Sequence, residues 1–276
     1  MAGEAPNGPA AIRKRISAGQ IGRSWPLVMA FVRLPLILGG LLLAYAFYAA
    51  TGATEPLLAA LLTATLVTVI VNLVSLALLR RLTAREGIHL RDLIGFDAVR
   101  AWRDVAWGLA LLLILNVPFI ATLMVVAFLL GGPMGGEDFG TAMSNIFAGP
   151  LADPSVTPGV PAWVGVASAI LFPLVNPVVE EMHYRGYVQP RLEALSGSGT
   201  AAVAIMALGF GLQHVTYALS VPGMAVYVAA FVVWGIGAGI VYARMQRLTS
   251  LIVAHFVINA STAAVPLVFL LAGGSG

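Results

Sequence analysis

Five stretches of this 276-residue chain, 56–79, 105–136, 154–179, 194–243 and 248–276, contain no Asp, Glu, Lys or Arg. Each reaches or exceeds the ~20 residues that carry a helix across the hydrocarbon core of a bilayer. A water-soluble fold needs far more charge than is present: 10% of the residues are charged and 59% hydrophobic, where soluble domains carry about 25% charge. The expected fold class is all-α, a polytopic membrane helix bundle of about seven transmembrane helices, within a range of six to eight. Turn signals at Thr51-Gly52, Gly131-Gly132-Pro133, Ser196-Gly197-Ser198-Gly199 and Pro222-Gly223 divide the runs into helices at about 27–50, 56–79, 105–131, 162–192, 200–219, 223–245 and 249–272. The stretch 139–152 is left open between an interfacial and a re-entrant piece.

The charges orient these helices. Arg13 to Arg33 precede or begin the first, Arg80 to Arg103 follow the second, Arg191 ends the fourth, and Arg244 and Arg247 close the sixth, all on one side. Glu55, Glu137, Asp138 and Asp153 fall on the other, without Lys or Arg. The positive-inside rule then makes the N-terminus cytoplasmic and puts the C-terminus outside. Arg185 is the single basic residue expected well within a helix. Residues 1–26 read as a mobile, basic cytoplasmic tail, and 27–276 as a single transmembrane domain. Arg13, Lys14, Arg15 and Arg23 ahead of the apolar run imitate a signal peptide, with Ala44-Tyr45-Ala46 as its cleavage site, but that basic region is too long. The net charge of +3 is placed to meet anionic lipid headgroups, so no nucleic acid is expected as a partner. With no cysteine, disulfides, thiolate metal sites and a thiol nucleophile are excluded. Lys14 is the one lysine among the basic residues, which with abundant Ala and Gly suggests a GC-rich bacterial source and a plasma-membrane location.

Ionisable side chains inside a bilayer are costly, rare and usually functional. Glu180, Glu181, His183, Arg185, His214 and His255 cluster in the last third of the sequence. Glu181 and Arg185 lie four apart on one helical face and can pair, while Glu180 is rotated about 100° away. Glu180 is therefore expected to be free of any cation, with a pKa raised by burial, as a general base acting on water requires. His255 and Asn259, again four apart, project from one face of the last helix. With His214 they are expected to converge with Glu180 in a cavity open to the basic side.

Glu180-Glu181-x-x-x-Arg185-Gly186, Phe210-x-x-x-His214 and His255-x-x-x-Asn259, in that order on successive apolar segments, resemble the CAAX prenyl protease and bacteriocin-processing family of membrane proteases. The resemblance covers 178–259 and suggests a protease-like core at about 162–272. It implies that Glu180 activates the attacking water, that Glu181 and Arg185 support it, that His214 and Asn259 stabilise an oxyanion, and that His255 orients the water or the glutamate. The implied partners are a peptide or lipidated protein substrate and the bilayer. Zn2+ is the possible cofactor, held by Glu180, His214 and His255 with one open position; the metal-free reading is preferred. His183 departs from the family pattern, and Glu180-x-x-His183 resembles half of a carboxylate-bridged metal site. Each motif also has a plain packing explanation, since His and Asn commonly bond across membrane helices. Asn72, Asn116 and Asn176 are expected to be such packing residues, Asn176 within reach of Glu180. The competing functions are a proton-coupled transporter and a non-catalytic scaffold or bacteriocin-immunity protein.

Overall fold

The computed structural model of the chain describes residues 6–131, 138–149 and 159–273, with the backbone alone at 139 and 264–273. Among these residues there are helices and no strand. They are α1 (Pro9–Ser17), α2 (Trp25–Phe31), α3 (Arg33–Ala50), α4 (Pro56–Leu62), α5 (Ala64–Arg85), α6 (Leu90–Ile94), α7 (Ala101–Gly131), α8 (Phe139–Phe147), α9 (Ala162–Glu181), α10 (Gln189–Ser196), α11 (Gly199–Leu212), α12 (Val221–Met245) and α13 (Thr249–Gly273). A π-helical stretch, Met182–Val188, joins α9 to α10, and a 3-10 turn, Gln213–Tyr217, ends α11. Six of the resulting segments are long and apolar enough to cross a membrane, and the apolar α13 follows them.

The turn chemistry falls where the sequence places it. Gly197, at φ 72°, closes α10 in the left-handed region that favours glycine. The Ser198 hydroxyl then accepts from Ala201 N–H and caps α11, as Ser220 does for Gly223 N–H at the start of α12. Two spans are interrupted. Pro35 has no N–H to offer the carbonyl of Phe31, and the helix breaks at Val32 between α2 and α3. The second interruption, at Thr63, separates α4 from α5.

In the bundle α9 packs against α5 and α13, α7 against α12 and α13, and α11 against α12. Close approach depends on missing side chains: a Cβ on Gly209 of α11 would overlap the Ala30 carbonyl of α2, and one on Gly211 would overlap Val232 of α12. Away from these seams α7 turns Leu113, Val117, Ile120 and Leu129 outward, an apolar face suited to lipid. Trp25, Trp102, Trp107 and Trp163 are exposed as well, while Trp234 is inside.

The segment before the first span is folded rather than mobile from residue 6 onward. α1 lies on α10 with Ile12 fully buried. Asn7 donates to the Gly186 carbonyl at 2.8 Å; Pro190, four residues on, has no N–H to do so. Glu86, at the end of α5, accepts from Arg191 and pairs with Arg15 at 3.3 Å. Burial pushes the Arg15 guanidinium below its ordinary value, and Glu86 opposes that shift. Of the stretch left open by the sequence, 139–147 form α8 against α7 and α12, where the Ser220 hydroxyl donates to the Ile146 carbonyl; residues 150–152 lie outside the described ones.

Candidate active site

α9 delivers two carboxylates at its last turn. Pro173 and Pro177 lie within this helix, and the π-helical stretch that follows Glu181 widens the coil as single π turns do at many functional sites. Glu180 and Glu181 are both buried, and their different rotations about the axis give them different partners. Glu181 pairs with Arg185 at 3.2 Å, as the spacing predicts. The Arg185 guanidinium rests on the Phe210 ring at 4.3 Å and on Trp234 at 5.0 Å, a cation–π arrangement that holds a fully buried charge without water.

Glu180 is not free of cations. Arg33, counted from the sequence among the residues that precede or begin the first helix, is fully buried. Its Nη2 donates to Glu180 Oε1 at 2.8 Å. Arg185 is thus not alone inside the bundle. Arg33 opens α3 directly after the interruption at Val32, and its Nη1 donates to the Ser75 hydroxyl of α5 and its Nε to the Gln213 side-chain carbonyl. Gln213 in turn donates from Nε2 to Glu180 Oε1 at 3.0 Å. The other oxygen, Oε2, has no hydrogen-bond partner. Arg33 and Gln213 are the two site residues that sequence reasoning missed. A signal was present, because Arg33 interrupts an apolar run from Trp25 to Tyr48 and stands two residues before a proline.

His255 of α13 sits between the carboxylates. Its Nδ1 lies 3.0 Å from Glu181 Oε1 and its Nε2 lies 3.8 Å from Glu180 Oε2. Two carboxylates and two guanidiniums therefore form one buried group of balanced charge, the condition under which such groups persist away from water. Asn259 is one turn further along α13, and its buried Nδ2 has no partner. His214 donates from Nδ1 to the Phe210 carbonyl at 2.7 Å and stacks on Phe231. Its link to the others runs through the Phe210 ring, whose centroid is 4.7 Å from His214 and 6.5 Å from His255.

His183, against expectation, donates from Nε2 to the Met29 carbonyl of α2 at 2.7 Å, so it braces α2 and forms no half of a metal site. Asn72 of α5 donates to Asn176 at 2.9 Å, the packing role expected of both, so Asn176 is bonded across the helices rather than to Glu180; Asn116 donates back to its own helix. Glu180, His214, His255 and Asn259 are buried rather than set in an open cleft among the described residues, exposing between 1% and 7% of their surface. As for zinc, no three His, Asp or Glu side chains among the described residues are placed to hold a metal ion.

Residues 161–261, which contain Glu180, Glu181, Arg185, Gln213, His214, His255 and Asn259 but not Arg33 or Ser75, match the family model described as type II CAAX prenyl endopeptidase Rce1-like. Neither a curated protein nor a solved structure matches the chain.

Proposed function

We propose, from the match of residues 161–261 to the Rce1-like type II CAAX prenyl endopeptidase model, that this protein is an intramembrane endopeptidase that hydrolyses a membrane-associated peptide with water activated by Glu180. The observation that carries the reading is the 3.8 Å gap between Glu180 Oε2 and His255 Nε2. His255 Nδ1 faces a carboxylate, which only accepts, so in the neutral ring Nε2 is an acceptor too. Two acceptors at that spacing suit one water that donates a proton to each, at about 2.8 Å, and turns its lone pair toward the substrate carbonyl.

Attack forms the new C–O bond as Oε2 takes a proton from the water. Collapse of the tetrahedral intermediate breaks the C–N bond, and Glu180 returns the proton to the leaving amine. The unpartnered Nδ2 of Asn259 is the donor available for the oxyanion. His214 is a weaker candidate than its motif suggests: Nδ1 holds its proton against the Phe210 carbonyl, and Nε2 donates only once the ring is cationic. The least buried members, His255 and Asn259, lie on α13, so the substrate enters beside that helix. The distribution of arginines favours placing the basic end at the cytoplasm, and the substrate is a peptide tethered to the bilayer, a prenylated CAAX-type sequence being the first to try.

The test is cleavage of a prenylated peptide and a panel of membrane peptides by purified protein. The wild type is expected to cleave with or without chelator, and Glu180→Gln to lose at least about 100-fold in kcat, the scale of a positioned general base. Turnover by Glu180→Gln equal to wild type would sink the proposal, and loss with chelator would replace its metal-free step.

A further inference from the structure

A carboxylate used as a base has two equivalent oxygens in solution, and this site makes them inequivalent with residues outside the three motifs. Oε1 of Glu180 accepts from Arg33 Nη2 at 2.8 Å and from Gln213 Nε2 at 3.0 Å, whereas Oε2 faces His255. We propose that Arg33 and Gln213 are positioning residues that pin Oε1 and so present Oε2 to the water, an inference that rests on Glu180 being the base.

The clamp is itself fixed. Arg33 spends every nitrogen, Nε on the Gln213 carbonyl at 2.5 Å, Nη1 on Ser75 at 3.0 Å and Nη2 on Glu180, and none of its surface is exposed. The orientation of the Gln213 amide follows from its partners. Its Oε1 takes hydrogens from Arg33 Nε and from the Tyr184 hydroxyl at 3.1 Å, which leaves Nε2 as the end that meets Glu180. Rotating the Glu180 carboxylate would break two charge-assisted bonds at once.

Other charged or titratable groups face Glu180: Glu181, Tyr184 and Arg185 from its own chain segment, Tyr217 from the 3-10 turn and His255 from α13. Of these the one cation, Arg185, is bonded to Glu181. Among the described residues Arg33 is thus the only guanidinium bonded to Glu180, and without it a buried carboxylate has no hydrogen-bonded counter-ion and is expected to take up a proton. A merely structural tie between α3, α5 and α9 would behave differently. It would set how much protein folds, and leave the turnover of each folded molecule alone.

The experiment uses the full chain in proteoliposomes with a peptide that the wild type cleaves, reading kcat and KM separately, with Glu180→Gln as the inactive baseline. Arg33→Met is expected to lower kcat about 100-fold or more with KM little changed, Arg33→Lys to recover part of that loss, and Gln213→Met to lower kcat about tenfold, the scale of one hydrogen bond to a charged group. Wild-type kcat in Arg33→Met, or equal losses in the Lys and Met variants, overturns the clamp while leaving the protease reading in place if Glu180→Gln is inactive. A readout that needs no substrate accompanies it. The infrared difference between wild type and Glu180→Gln is expected to show a carboxylate, and the same subtraction in an Arg33→Met background a protonated acid. A carboxylate in both backgrounds overturns the inference even if no peptide is cut.

Discussion

Glu180 and His183 are three residues apart on one helix, and the structure separates them by function. The carboxylate faces the bundle interior with His255, while the imidazole holds the Met29 carbonyl of α2. Replacing His183 by Leu leaves that carbonyl unpaired, at a cost of about 1–3 kcal/mol. The expected outcome is a lower unfolding temperature in detergent and, because α2 leads into Arg33, a reduced kcat. Legibility at this scale followed sequence distance. Glu181 and Arg185 were readable as a pair because helical geometry alone brings residues four apart together. Arg33 and Glu180 were not, because their contact depends on the interruption at Val32 and on α3 and α9 both packing against α5. An arginine at the start of an apolar run is also what membrane proteins commonly place at the interface, which masked its role.

The helices themselves were largely readable, for local reasons: prolines at first turns, serine caps and the left-handed Gly197 mark boundaries that depend on a few adjacent residues. The π-helical stretch Met182–Val188 carries no comparable signature. Nor did the seam between α2 and α11, where Gly209 lets backbone meet backbone. Gly209→Ala forces the Cβ into the Ala30 carbonyl, and overpacking of this kind costs about 1–3 kcal/mol. Because α2 leads directly into Arg33, the same change is expected to reduce kcat as well as the unfolding temperature. Gly39→Ala, in an open position on α3, is the control and is expected to do neither. The two variants separate close approach from the general effect of adding a methyl group to a helix.

Over the whole molecule, two buried charge clusters join parts of the chain that are far apart in sequence. One is the group of Glu180, Glu181, Arg33 and Arg185. The other, Glu86 with Arg15 and Arg191, ties α1 to the ends of α5 and α10, next to the π-helical stretch that carries Arg185. Glu86→Ala leaves two arginines without their shared carboxylate, and the loss expected for breaking a buried pair is about 3–5 kcal/mol, read as a fall in unfolding temperature. If α1 steadies the π-helical stretch, faster proteolysis at residues 6–17 and lower kcat accompany it. The number of spans and the basic end were readable because they are sums over many residues; the folding of α1 onto that end was not, because its basic residues are equally at home in water. The pairing of Arg33 with Glu180 has a consequence for the order of events during synthesis. The two lie 147 residues apart, so a ribosome delivers the first hydrophobic segment, with its arginine unanswered, long before the answering carboxylate exists. An unpaired arginine at mid-bilayer disfavours insertion by about 2.5–3.5 kcal/mol on translocon scales. The final seating of the first helix is therefore expected to be a late step that follows the emergence of α9.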